Sequence, residues 1–95
     1  MFVVLLKFSE RRDQAGQHMA GHRDWLKRGF DDGIFLLAGS LRPEQGGAIV
    51  AHNTSLAELQ RRVDDDPFVA QEVVRAEILD VAPARCDQRL AFLQA

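Results

Sequence analysis

The segment Phe2-Val3-Val4-Leu5-Leu6-Lys7-Phe8 has the β-branched and aromatic content of a strand but no polar face. Phe2, Val4, Leu6 and Phe8 fall on one side, Val3 and Leu5 on the other. Antiparallel strands with apolar side chains on both faces occur where both sides of the sheet are covered. The run Phe35–Leu41 has the same two-sided character. A chain of 95 residues, 46% of them apolar, builds one small core and has no room for a second domain. One sheet face can be covered by the chain's own helices. The cheapest cover for the other is a second copy of the same chain, related by a two-fold axis, sheet against sheet.

From about Arg11 the apolar positions Ala15, Met19, His22, Leu26 and Phe30 recur at intervals of three and four, the seam of an amphipathic helix ending near Gly33, with Ser9 available as a cap. Gly16, Gly21 and Gly29 each cost about 1 kcal/mol relative to alanine, so this helix needs a sheet to dock on. Ile34–Leu41 reads as a second strand. Arg42-Pro43-Glu44-Gln45-Gly46-Gly47 reads as a hairpin connection, and Ala48–His52 as a third strand. Asn53, Thr54 or Ser55 offers a cap for a second helix over Leu56–Val63, with Leu56, Leu59 and Val63 on one face. Pro67 stops that helix and restarts a short turn over Pro67–Ala70, before a last strand at Val74–Val81. The order strand, helix, strand, strand, helix, strand is the split βαβ of a ferredoxin-like α+β domain, with a four-stranded antiparallel sheet and both helices on one face. The domain is expected over residues 1–83. Residues 84–95 follow as a tail helix with Cys86, Leu90 and Leu93 on one stripe.

Charge and composition remove several functions. Twelve Lys and Arg against fourteen Asp and Glu give a net charge of −2, so no general positive field draws the chain to nucleic acid or anionic lipid. An RNA-recognition domain shares this element order but needs exposed aromatics on its central strands, and Gly46–His52 has none. The longest apolar runs, Phe2–Leu6 and Ile34–Ala38, fall far short of the roughly 20 residues that span a bilayer. Met1 leads directly into the apolar strand, without the basic start and cleavage site of a signal peptide, so the amino terminus reads as structure. The single cysteine, Cys86, excludes an internal disulfide and fits a reducing cytoplasm; its place on the tail stripe reads as packing. The mixed charges of the first helix, from Arg11 to Asp32, read as a solvated face.

With no tyrosine, one cysteine and three histidines, few residues can do acid–base chemistry. His22 falls on the inward stripe of the first helix between Met19 and Leu26. Two readings stand open there: a core histidine bonded to backbone, or an imidazole working with a carboxylate. Asp66 is the best partner, because a residue before proline is held off the helix and can turn its carboxylate inward. Such a carboxylate fixes the imidazole tautomer and stabilises the imidazolium. The plain alternative for Asp64-Asp65-Asp66 is a solvated helix end, although three acids there oppose the helix dipole. His18 and His22 have the i, i+4 spacing of two metal ligands, but no third ligand is set by spacing, so no metal and no other cofactor is expected and His18 is read as exposed. Gly39-Ser40 and Gly46-Gly47 lack the strand–glycine–helix context of a phosphate loop. Their reading is turn geometry and close backbone approach, with Ser40 a pocket hydroxyl. Trp25 falls beside the stripe, at a pocket rim or subunit contact.

These features together resemble the YciI-like (YCII-related) family. The likeness runs from Met1 to Pro83: an apolar first strand, His22 on the first helix, Gly33 eleven residues on, Gly39 six further, and Asp66-Pro67-Phe68 before the last strand. The resemblance implies a ferredoxin-like fold pairing into a dimeric α/β barrel, with a histidine–aspartate pair in a pocket, carried here by His22 and Asp66. Gly39, Ser40 and Phe68 are the expected substrate-binding residues. The chain departs from the family in having Ser40 where proline often follows the second glycine, and in lacking a first-strand tyrosine. Some relatives act on ring compounds by elimination or isomerisation. The expectation is accordingly a cofactor-independent lyase or isomerase of a small unsaturated ring compound, with His22 as general acid or base and Asp66 orienting it. The alternative is a non-catalytic domain that binds a small polar molecule with the same pair.

Overall fold

The computed structural model describes residues 1–94 and is organised around the two-faced first strand. β1 (Phe2–Phe8) lies inside an antiparallel sheet between β3 (Gly46–Ala51) and β4 (Val74–Asp80), and β2 (Phe35–Leu41) closes the far edge, giving the order β2-β3-β1-β4. α1 (Ala15–Asp31), α2 (Leu56–Asp64) and the single turn α3 (Pro67–Ala70) complete the split βαβ, so the fold is ferredoxin-like α+β. Phe2, Val4 and Leu6 of β1, Phe35 of β2, and Ile49 and Ala51 of β3 form one buried cluster with Trp25, Leu59, Val63 and Phe68 of the helices.

The first helix starts later than its periodicity predicts. Ser9 does not cap it: its hydroxyl donates to the carbonyls of Glu72 and Val73 and accepts from the Arg11 amide, tying the end of β1 to the start of β4. A 3-10 turn at Arg12–Gln14 intervenes before α1 begins at Ala15. The buried stripe is also rotated. Trp25 is 2% exposed and in the core, not at a rim, whereas Phe30 is 43% exposed. The reason is Gly29, against which the Phe35 ring lies so closely that a Cβ would overlap it; helix and sheet touch there, and the contact line passes through Trp25. The Trp25 ring meets Phe35 edge-on at 5.1 Å, and its Nε1 donates to the Arg62 carbonyl at 2.8 Å, joining α1 to α2. His18, read as exposed, is half-buried.

The third strand begins two residues earlier than expected, at Gly46. A side chain at Gly46 would strike the Leu6 carbonyl, and its φ of +124° suits glycine alone, so both glycines serve pairing rather than the turn. Ser55 is the cap of α2: its hydroxyl accepts from the Glu58 amide at 3.1 Å. The tail differs from its expected helix. Gln88–Leu93 is a 3-10 segment with non-helical dihedrals at Leu90, and a period of three does not keep Cys86, Leu90 and Leu93 on one face. The last residue of the expected 84–95 tail, Ala95, lies outside the described residues. Among the described residues no helix is long and apolar enough to cross a membrane.

Candidate functional site

Pro67 sets the local backbone that presents Asp66. The pre-proline residue is extended, with ψ at 123°, and Pro67 opens α3 at its first helical position. The Asp66 carboxylate turns back, and its Oδ1 accepts from the Phe68 amide at 3.0 Å. The residue whose charge opposes the dipole of α2 therefore caps the turn that follows. Oδ1 also faces His22 Nδ1 at 2.9 Å, in the range of a charge-assisted hydrogen bond. Asp66 is 0% exposed, and its Oδ2 has no hydrogen-bond partner among the described residues. A buried, unpaired acceptor costs about 1–3 kcal/mol. A helix stop alone does not need that cost, since serine or asparagine caps as well.

Gly21 lets Pro67 sit close on α1 beside this contact. A Cβ there would sit 3.0 Å from Pro67 Cγ, so an alanine would need the Pro67 ring to give by a few tenths of an ångström. The sequence shows this glycine only as a helix-weakening cost; its purpose depends on a neighbour 46 positions away. The His22 ring is held on its flat sides too. It stacks on Phe68 with centroids 4.1 Å apart and an interplanar angle of 3°, and lies 5.9 Å from the Trp25 ring. Because a carboxylate can only accept, the neutral imidazole carries its proton on Nδ1 and keeps Nε2 as the free acceptor.

The His22 side chain, 14% exposed, borders a cavity of about 320 Å³ between α1 and the sheet. Leu6, Ala38, Ser40, Gly47 and Ile49 form its sheet side, and Met19 and Leu26 its helix side. The register puts Leu6 opposite Gly47 and Gly47 opposite Ser40, so small side chains leave the space open at that level. Gly39 and Phe68 also border the cavity, while Asp66 stands behind His22 and does not. His22, Asp66, Phe68, Ser40 and Gly39 thus gather at one place. Sequence reasoning misses Gly46, Gly47 and Arg23, which line the same cavity: the glycines resemble a turn, and Arg23 resembles part of a solvated face. Its position directly after His22 is the signal that could have found it. His52 is elsewhere, with the Phe92 ring edge-on at 5.5 Å. Among the described residues no three His, Cys, Asp or Glu side chains are grouped to hold a metal ion.

Fold and geometry define a class: a small ferredoxin-like domain with a cavity beside an imidazole backed by a buried carboxylate. The YCII-related domain matches residues 1–82, and the chain belongs to that family. Among solved structures it is similar to the 5-chloro-2-hydroxyhydroquinone dehydrochlorinase TftG of Burkholderia phenoliruptrix in complex with 2,5-dihydroxybenzoquinone. That likeness has a TM-score of 0.71 at 14% identity and covers 84% of this chain and 91% of that one. No curated protein matches the chain.

Proposed function

We propose that the chain is a cofactor-independent lyase or isomerase acting on a small unsaturated ring compound in the cavity beside His22. The observation that carries this reading is the 2.9 Å contact between His22 Nδ1 and a fully buried Asp66 carboxylate, with the imidazole stacked on Phe68 at the cavity's edge. His22 Nε2 takes a proton from an sp3 ring carbon, which an aromatic hydroquinone presents in its keto form. In an elimination the C–H electron pair becomes the new double bond, and the leaving group departs with its own electrons. In an isomerisation the imidazolium returns the proton at another carbon. Asp66 stabilises the imidazolium in either case. The similarity to a dehydrochlorinase that holds a ring ligand supports the elimination.

A second reading, a domain that binds the ring without converting it, is favoured by one feature. Among the described residues His22 is the only histidine, carboxylate, lysine or cysteine lining the cavity, so no second proton-transfer group faces it. Assays with 5-chloro-2-hydroxyhydroquinone and related halogenated hydroquinones separate the two. Turnover that falls at least about a hundredfold in kcat on Asp66→Asn, with KM little changed, is the expected result. Binding at the His22 ring without halide release from any of them supports the binding domain, and no perturbation of His22 by any ring compound defeats both.

The proposal includes a dimer. The sheet face away from the helices carries Val3, Leu5, Leu37, Ala48, Val50 and Leu79, brought together by register, with Leu37 59% exposed. A second copy covers this face, and the tail after Pro83 adds to the assembly. Light scattering at micromolar concentration should give twice the chain mass, and deletion after Pro83 should weaken association more than it changes circular dichroism. A stable monomer would refute the pairing.

A further inference from the structure

We propose that Arg23 makes the cavity selective for ring compounds bearing a negative charge, with its guanidinium binding the anionic substituent while the ring lies beside His22. This inference rests on the functional reading above and specifies its substrate class. Among the described residues Arg23 is the one formally charged side chain lining the cavity, and no carboxylate lines it, since Asp66 is screened behind His22. The rest of the wall is apolar apart from Ser40 and His22. An anion entering this space meets one cation and no carboxylate in the wall, the nearest being Asp66 behind the His22 ring; a cationic ligand has no counter-ion in the wall.

Arg23 is also unengaged. Among the described residues it takes part in no ion pair and no side-chain hydrogen bond, whereas the neighbouring cations Arg12 and Lys27 are occupied. Arg12 donates to the Glu44 carbonyl and lies over the Phe8 ring, and Lys27 pairs with Asp31 at 2.7 Å. An exposed guanidinium keeps its hydration until a ligand arrives, so no burial cost precedes binding. Its planar fork matches a carboxylate or a pair of adjacent ring oxygens. Consecutive residues of a helix diverge by about 100°, so His22 turns inward to Asp66 while Arg23 stays at the exposed edge of the same opening. One ligand can therefore meet both.

The test compares 2,5-dihydroxybenzoate with 2,5-dihydroxybenzamide, which share ring and hydroxyls and differ in charge. Each is titrated near neutral pH into the isotopically labelled full chain while the His22 ring and Arg23 side-chain resonances are followed. The wild type should bind the acid roughly tenfold more tightly than the amide, the effect of one charge-assisted contact. Arg23→Gln should bring the two within about twofold, Arg23→Lys should keep part of the preference, and added salt should weaken the acid alone. Equal binding by the wild type, or a preference that survives Arg23→Gln in a variant whose amide spectrum is unchanged, overturns the inference while His22 perturbation leaves the functional reading standing. Binding that shifts Arg23 but not His22 sinks the functional reading and places the anion outside the cavity, which overturns the inference as well. Failure of both compounds to perturb either residue defeats both.

Discussion

Along the helix-covered face of the sheet, Phe2, Val4, Phe35 and Ala51 at one end are buried in a continuous cluster with Trp25, Leu59 and Val63, whereas at the other end Ala38, Ser40 and Gly47 leave a cavity beneath Met19 and His22. Both ends use the same strands and lie under the same helix, although the β2–β3 register shifts between Phe35 and Leu37. The difference is side-chain volume. Aromatic and branched residues at one level produce close packing, and further along the strands their replacement by glycine, alanine and serine leaves the cavity open. A packed layer can thus open into a cavity beneath the same helix.

The largest effect should come from breaking the packed end. Trp25→Ala removes a fully buried ring and the hydrogen bond to the Arg62 carbonyl and should cost about 3–5 kcal/mol in urea denaturation. A loss comparable to that of an exposed residue would mean the two ends do not differ in packing. Next is the junction between them. Asp66→Ala removes the Phe68 cap and the His22 partner and should cost about 1–2 kcal/mol, while Asp66→Asn, whose amide oxygen still accepts from Phe68, should cost less. In nitrogen NMR at neutral pH the wild-type His22 ring should carry its proton on Nδ1, and a preference for Nε2 would contradict the geometry.

Gly47→Ala sharpens the comparison at the hollow end. Its φ lies outside the left-handed region, so alanine fits the backbone, and the new Cβ would sit 3.2 Å from the Gly39 carbonyl, tight but adjustable. Stability should change by less than about 1 kcal/mol, whereas the affinity for whichever ring compound perturbs the His22 resonances of the wild type should weaken severalfold. Unchanged binding would show that the ligand does not reach this level of the sheet. The smallest effect belongs to a control outside both ends. A hydrogen bond to its own backbone, then the charge of Arg75, hold the exposed Glu10 carboxyl below its ordinary range. A depressed acid stabilises the fold above its unfolded pKa and loses that contribution as pH falls through the folded value, so a Glu10–Arg75 double-mutant cycle should show weak coupling at pH 7 that is lost as the carboxyl is protonated in the folded state.

The sequence alone determines the element order and the sheet, because the alternation in Phe2–Phe8, the three-four spacing from Ala15 and the Pro67 stop are local properties of the backbone and its neighbours. It also offers His22 and Asp66 as candidate partners, since an inward imidazole and a pre-proline carboxylate are each visible within a few residues, but it leaves the core-histidine and helix-end readings open beside them. Tertiary structure decides what lies between elements. The inward turn of Trp25 follows from Gly29 meeting Phe35, the close seat of Pro67 on α1 from Gly21, and the cavity from Gly47 standing between Leu6 and Ser40. In each case a missing side chain acquires meaning only through an atom far away in the chain, and no local pattern encodes that distance.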